Sequence, residues 1–203
     1  MIATPRAGYY EAMTAQAVHA GDPLADEEGL QRTITEVVSA LGGAEVPFAL
    51  TGGSAVYGRG GPPTTHDVDV LVCPEHVDDA VRALVEAGMR AEDPPEDWLT
   101  KVYCGEWMVD IIFRPNERPV TEAVLASAEV LRVGSMTAPV MPATCLLVDK
   151  LLVLGPHRCD LAELLPVARA LREQVDWSEV AGQTSDSPYA AAFLLLLERL
   201  HIT

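Results

Sequence analysis

Basic residues are scarce in this sequence, and the shortage excludes one broad kind of surface. Only 14 of the 203 residues are Lys or Arg, against 30 Asp or Glu, so the formal net charge is −16. Such a charge keeps a protein soluble. Because nucleic-acid-binding domains usually carry a basic face, this composition argues against an extensive phosphate-binding surface and leaves room only for a local basic groove.

Cysteine motifs and long apolar runs are also missing. The four cysteines, at positions 73, 104, 145 and 159, form no CxxC pair and no zinc-type spacing, so we expect reduced thiols. Residues 1–20 lack the apolar core of a signal peptide. No run approaches the roughly 20 apolar residues that a membrane span needs. These absences predict a cytoplasmic protein.

The composition that is present is typical of a globular protein. Apolar residues make up 49% of the chain and charged residues 22%, which excludes wholesale disorder, collagen and coiled coil. A chain of 203 residues can bury about 70% of its unfolded surface, so it needs no disulfide or metal to fold. Its length allows one large domain, or one domain with a helical appendage.

Secondary-structure patterns divide the chain into an α/β part and a helical part. Apolar spacing predicts helices over 26–41, 75–88 and 120–128, and strands over 46–51 and 68–73. A hairpin is expected over 101–113, a strand and a turn over 130–140, and an acidic loop over 91–97. After Pro142 only helices are expected, over 143–154, 159–173, 177–182 and 187–201.

We therefore predict three regions. Residues 1–25 form a loose arm, 26–141 an α/β domain with a short mixed sheet, and 142–203 a helical C-terminal bundle. A ligand is expected in the cleft between the last two regions.

The segment LTGGSAVYGRGGPPTTHDVDVLV, residues 50–72, carries the strongest chemical signal. Alternate residues of a strand share a face, so Asp67 and Asp69 are expected to project together. Two ionised carboxylates at close range repel each other. Such pairs typically hold a hard divalent cation, and Mg²⁺ takes one or two carboxylates plus phosphate oxygens. The alternative is a solvated strand edge.

A glycine turn precedes this pair. Gly52 and Gly53 let backbone N–H groups approach an anion closely, and a helix beginning at Ser54 adds its positive N-terminal end. An anion cradle next to a carboxylate pair suits a metal-bound triphosphate. The alternative is a plain turn between a strand and a helix.

A third carboxylate, Asp110, lies in the apolar strand WMVDIIF. An unpaired charge inside such a strand is costly, whereas beside Asp67 and Asp69 it would be stabilised by a metal ion. Three carboxylates on adjacent strands can hold two metal ions. The alternative is an edge strand on which Asp110 faces solvent.

This pattern resembles the DNA polymerase β-like nucleotidyltransferase superfamily, and more closely its toxin nucleotidyltransferases of the AbiEii and MenT type. Thr65 lies at the family's threonine position, ahead of the two aspartates. Pro63 stands where the family often has Arg, so Arg59 is the candidate for the missing phosphate contact. The segment 145–165 resembles the family's helical segment, which implies that Lys150, Asp160 and Arg158 approach the nucleotide. The alternatives are that Lys150 is an ordinary surface lysine and that Asp160 is a charge at a helix terminus.

The resemblance implies a nucleotidyltransferase fold and transfer of a nucleoside monophosphate from an NTP to a hydroxyl group. It suggests an RNA acceptor, the 3′ end of tRNA, and a toxin with a separate antitoxin protein. Asp67, Asp69 and Asp110 would hold Mg²⁺, in one or two ions, and Lys150 would neutralise the triphosphate. The alternative acceptor is a small cationic molecule of the aminoglycoside type, which the charge of −16 favours. A binding module that has lost its activity is the third hypothesis, against which all three carboxylates argue.

Overall fold

The computed structural model describes residues 23–64, 67–92 and 94–203. Residues 1–22, which contain most of the predicted arm, and Thr65 lie outside the described residues. The four cysteines lie within them and are free thiols.

The described strands form one mixed sheet of seven strands in the order β3-β4-β5-β2-β1-β7-β6. Strand β2 pairs with β5, and β1 with β7, in parallel, while the other pairings are antiparallel. The strands are β1 (Phe48–Leu50), β2 (Asp67–Val72), β3 (Arg90–Glu92), β4 (Leu99–Cys104), β5 (Trp107–Ile112), β6 (Glu129–Val133) and β7 (Met136–Val140). The mixed α/β class predicted from the sequence is confirmed.

Eight α-helices occur in the described part of the chain, four of them after β7. They are α1 (Pro23–Gly43), α2 (Gly52–Gly58), α3 (Val77–Glu86), α4 (Glu122–Ala126), α5 (Ala143–Leu152), α6 (Leu161–Leu171), α7 (Trp177–Gln183) and α8 (Pro188–Arg199). Among these helices, none has both the length and the apolar content that crossing a membrane requires.

Alternation along β2 separates the core from the opposite face of the sheet. Val68 and Val70 are fully buried, whereas Asp67 and Asp69, which alternate with them, are partly exposed. Helix α1, whose apolar spacing predicted it, buries residues such as Leu30 and packs against β2 and β5. The carboxylates are thereby left on one face of the central strands.

Two local predictions were wrong. Part of the expected acidic loop 91–97 is strand β3, a fully exposed edge strand in which Arg90 pairs with Tyr103 of β4. The region 130–140 contains two antiparallel strands, joined at Gly134 with φ +59°, rather than one strand. An edge strand buries little apolar surface, so its sequence shows no apolar pattern.

Helix α5 connects the sheet to the C-terminal helices. It packs against α2 and α7 and buries Leu146, Leu147 and Leu151 in a single core that continues into the sheet. The boundary at 141/142 stays a prediction, since this core includes residues from both sides of it. The contact between α5 and α2 brings the C-terminal helices close to the Gly52-Gly53 turn.

Candidate active site

The parallel pairing of β2 with β5 brings the three predicted carboxylates onto one face. Asp69 lies directly opposite Asp110, and Asp67 lies opposite Met108. Directly opposed residues on neighbouring strands have side chains on the same face, as do alternate residues along one strand. Asp67, Asp69 and Asp110 therefore form a carboxylate group on the two central strands.

Burial and mutual repulsion disfavour ionisation of two of these carboxyls. Desolvation raises the pKa of Asp69 well above its usual range, and the charges of Asp67 and Asp110 raise it further. Desolvation also raises the pKa of Asp110, to about 6, against the lowering effect of Lys101. An excess of negative charge held away from water is an arrangement that a bound cation would stabilise.

The Gly52-Gly53 turn touches this carboxylate group directly. Gly52 has φ +51°, and a Cβ built on it would overlap with Oδ2 of Asp69 and lie 2.6 Å from its Cγ. The backbone N–H of Gly53 donates a hydrogen bond of 3.0 Å to the same oxygen. Only glycine permits this conformation and this close approach together, so the turn supports Asp69.

Ser54 fastens the turn to β2 through its hydroxyl group. The hydroxyl oxygen lies 2.9 Å from the carbonyl oxygen of Thr51 and 3.0 Å from that of Asp69, and it accepts the N–H of Asp69 at 3.2 Å. Ser54 is fully buried. Its hydroxyl is therefore occupied by backbone groups, and a contact of the Gly53-Ser54 backbone with a triphosphate stays a prediction.

A threonine next to the predicted one contacts the first aspartate. The hydroxyl of Thr64 donates a hydrogen bond to Oδ1 of Asp67. Its Cβ would lie 2.8 Å from a Cβ added at Gly53. The sequence analysis assigned the family's threonine to Thr65 and missed Thr64. Both threonines lie within a few residues of Asp67 in the sequence, so spacing alone did not distinguish them.

Lys150 is brought to the carboxylates by helix α5. It is partly exposed, and its positive charge lowers the pKa of Asp69 against the effect of burial. The preceding residue, Asp149, accepts hydrogen bonds from Asn116 (2.9 Å) and Arg118 (3.0 Å), which follow β5 in the chain. These bonds tie α5 to the strand that carries Asp110.

Arg59 contacts the end of β7, and its predicted role as a phosphate contact stays a prediction. Its side chain is 4% exposed. Nε donates to the carbonyl oxygen of Met141 at 2.6 Å, and Nη2 to that of Val140 at 3.3 Å. The guanidinium also pairs with Glu129 at 3.1 Å and Gln174 at 3.2 Å. Arg59 thus joins α2 to the end of β7.

Asp160 and Arg158 lie just before α6 in the chain. Asp160 is exposed and accepts the backbone N–H of Ala162 at 3.0 Å, so it caps α6. The backbone of Arg158 pairs with that of Gly155 at 2.9 and 3.1 Å, which closes a tight turn.

Replacing Arg59 by Met is expected to destabilise the fold and to leave NTP affinity unchanged. The loss should be roughly 3 kcal/mol, mainly because two buried carbonyl groups lose their charged donor. The ion pair with the half-exposed Glu129 adds little. Urea unfolding and titration with a fluorescent NTP analogue measure the two effects, and Arg172→Met, in an exposed pair with Glu173, is the matched control. Weaker NTP binding at unchanged stability would support the phosphate contact and contradict the structural role of Arg59.

Two further charged residues near Asp110 were not predicted. Lys101 of β4 lies directly opposite Asp110, with Nζ 3.9 Å from Oδ1. Glu96 raises the pKa of Asp110, after the larger effects of burial, Lys101 and Asp67. Lys101 lies in the first strand of the hairpin whose second strand carries Asp110, and the hairpin register was the signal that could have found it.

The donor set suits a hard divalent cation. All three side chains offer carboxylate oxygens, the ligands that Mg²⁺ prefers, and Oδ1 of Asp110 is buried with no hydrogen-bond partner. As placed, Asp67 and Asp69 hydrogen-bond to Thr64 and Gly53. Within the described residues, no group of three His, Cys, Asp or Glu stands at metal-binding spacing. The chemistry therefore fits Mg²⁺, while the side chains do not form a preassembled three-ligand cage.

An acidic cavity of about 570 Å³ lies between α3 and the β3–β4 region. Asp78, Glu92 and Glu96 line it, together with apolar side chains, and Oε2 of Glu96 is buried without a hydrogen-bond partner. None of the three aspartates of the carboxylate group lines the cavity. The charge of Glu96 also raises the pKa of Asp110, which lies outside the lining of the cavity.

Comparison with known proteins was informative at the level of structure. No protein-family model matches the sequence, and no curated protein is similar enough to it to serve as a relative. The solution structure of the antibiotic-resistance factor ANT(2'')-Ia matches with a TM-score of 0.57 and 15% identity, over 87% of this chain and 100% of that one. A crystal structure of ANT(2")-Ia in complex with adenylyl-2"-tobramycin matches with a TM-score of 0.50 and 16% identity, over 85% and 99%.

A third similar structure belongs to an antibiotic adenylyltransferase. The lincosamide antibiotic adenylyltransferase LnuA, in its lincomycin-bound form, matches with a TM-score of 0.50 and 12% identity, over 67% of this chain and 92% of that one. At such identities the likeness concerns the fold. The chain therefore has the fold seen in these nucleotidyltransferases, with the carboxylate group on its two central strands.

Proposed function

We propose that this protein transfers a nucleoside monophosphate from an NTP to a hydroxyl group and releases pyrophosphate. The observation that carries the proposal is the carboxylate group, in which Asp69 lies opposite Asp110 and beside the Gly52-Gly53 turn. The fold supports it, because the similar solved structures include adenylyltransferases. The residue pattern alone suggested the same chemistry.

Each residue of the site has a distinct part in this reaction. Asp67 and Asp69 would hold Mg²⁺, which supplies positive charge for the triphosphate and the departing pyrophosphate. Lys150 offsets the remaining negative charge of the triphosphate. Asp110, whose raised pKa of about 6 suits a general base near neutral pH, accepts the proton of the acceptor hydroxyl. The acceptor oxygen forms a bond to the α-phosphorus as the bond to the β-phosphate breaks.

We infer that the acceptor is a small cationic molecule. The acidic cavity offers Asp78, Glu92 and Glu96, and Glu96 acts on Asp110. A net charge of −16 attracts a polyamine and repels RNA. One of the similar structures holds an adenylylated aminoglycoside, tobramycin. An amine-bearing alcohol of the aminoglycoside type therefore fits the cavity and its charge.

A second candidate is an RNA acceptor, favoured by the pattern of residues 50–72. The order of the glycine turn, the threonine and the two aspartates resembles that of toxin nucleotidyltransferases. In this case the acceptor is the 3′ end of tRNA, and an antitoxin protein keeps the activity in check.

Transfer of label from α-³²P NTPs distinguishes the two acceptors. The protein is incubated with Mg²⁺ and each NTP in turn, with a panel of aminoglycosides or with total tRNA, alongside the Asp69→Asn variant. We expect label on an aminoglycoside that disappears with the variant. Label on tRNA alone would establish the second candidate. Absence of label from every acceptor, or label that persists with Asp69→Asn, would contradict the proposed function.

A further inference from the structure

A lysine stands where the carboxylate group needs positive charge. Strands β4 and β5 form a hairpin in which Lys101 lies opposite Asp110, on the face that carries the three aspartates. Nζ of Lys101 is 3.9 Å from Oδ1 of Asp110. The two side chains are only 14% and 13% exposed, so the ammonium group is confined to this position.

Acidic groups also act on this ion pair. Asp67 and Glu96 raise the pKa of Asp110, and Asp69 lies directly opposite it. Oδ1 of Asp110 has no hydrogen-bond partner in the described part of the chain. The ammonium group also contacts the sulfur of Met108, at 3.6 Å. Lys101 is therefore the counter-charge of Asp110, as Lys150 is for Asp69.

We propose, on the basis of the function proposed above, that Lys101 takes the place of a second divalent cation beside Asp110. The site then binds one ion, through Asp67 and Asp69, together with the triphosphate. An ammonium group is a compact point charge with three donors. A divalent ion bound to Asp110 would lie close to that charge and be repelled by it. Lys101 is thus a positioning residue that keeps Asp110 available for the acceptor hydroxyl.

This assignment differs from the sequence expectation, which allowed two ions held by three aspartates. The difference comes from a residue on another strand, because nothing in the spacing of the aspartates shows what lies opposite Asp110. It also accords with the side-chain arrangement, in which the described residues contain no three-ligand cluster. One ion needs only the two carboxylates of β2 and the phosphate oxygens.

Counting bound Mn²⁺ tests the assignment without measuring transfer. The protein is dialysed to equilibrium against Mn²⁺ and each of four α,β-methylene NTP analogues, and bound ions are taken as the excess over the protein-free side. We expect one ion per chain for the unaltered protein and two for Lys101→Met, a neutral side chain of similar length. Lys101→Arg, which keeps the charge, should return the count to one. Arg90→Met, on the exposed edge strand, is the matched control and should bind one.

The other outcomes of the ion count distinguish the role of Lys101 from the proposed function. Two ions in the unaltered protein, or one ion in a folded Lys101→Met variant, would refute the role of Lys101 and leave the proposed function standing. If Lys101→Met fails to fold, a second ion in Lys101→Arg would refute it equally, and a single ion there would support it. No bound ion with any analogue, in protein whose circular dichroism shows it folded, would refute the proposed function itself.

Discussion

Replacing Asp69 by Asn should lower the rate of nucleotidyl transfer by roughly 10³-fold or more and leave the protein folded. The amide lacks the negative charge that binds the metal ion of a metal-bound triphosphate. Losing several kcal/mol of transition-state stabilisation corresponds to a rate lower by roughly 10³-fold. The side chain keeps its shape, and its amide oxygen can still accept the N–H of Gly53. Steady-state kcat/KM with whichever acceptor the labelling experiment identifies measures the effect.

The stability of this variant separates a catalytic role from a structural one. The pKa of Asp69 is raised by burial and by Asp67 and Asp110, so its charge is unfavourable in the folded protein. We therefore expect Asp69→Asn to unfold at the same temperature or a higher one. Asp79→Asn, the same chemical change at an exposed pair with Arg82, is the control and should keep full activity. Activity within tenfold of normal in Asp69→Asn would exclude the carboxylate group as the reaction centre.

Local patterns were sufficient to predict the β2 side of the site. Strand periodicity places Asp67 and Asp69 on one face, and consecutive glycines predict a tight turn. The register of a hairpin with a two-residue turn can also be counted from the sequence. Cys104 pairs with Trp107 across Gly105-Glu106, so stepping outward along both strands pairs Lys101 with Asp110. The sequence therefore contains enough information to place Lys101 opposite Asp110.

Other features depend on contacts between distant segments, which no local pattern reveals. The register that sets Asp69 opposite Asp110 is parallel and joins strands separated by a helix and two further strands. Arg59 is buried because its guanidinium meets the carbonyl groups of Val140 and Met141, more than 80 residues away. A basic residue in a glycine-rich loop looks equally suited to phosphate, so only the tertiary contact decides its role.

Replacing Asp110 by Asn should stabilise the protein near neutral pH and abolish transfer. The folded state raises the pKa of Asp110 from 3.8 to about 6, with burial as the largest cause. A carboxyl whose pKa is raised on folding contributes most stability below its unfolded pKa, and this contribution is lost as pH rises through about 6. At pH 7.5 the ionised side chain therefore costs on the order of 2–3 kcal/mol, which the amide avoids. The attraction to Lys101 is already included, because it lowers the same pKa.

The pH dependence is the sharper part of this prediction. Urea unfolding at pH 7.5 should show Asp110→Asn more stable than the unaltered protein, by an amount that shrinks as pH falls and vanishes below the unfolded pKa of 3.8. Asp79→Asn, at a surface position, should show no such convergence. A variant less stable at pH 7.5 would mean that the pair with Lys101 outweighs burial. Because the charge that destabilises the resting fold is the one that accepts the proton, the loss of transfer and the gain in stability should appear together.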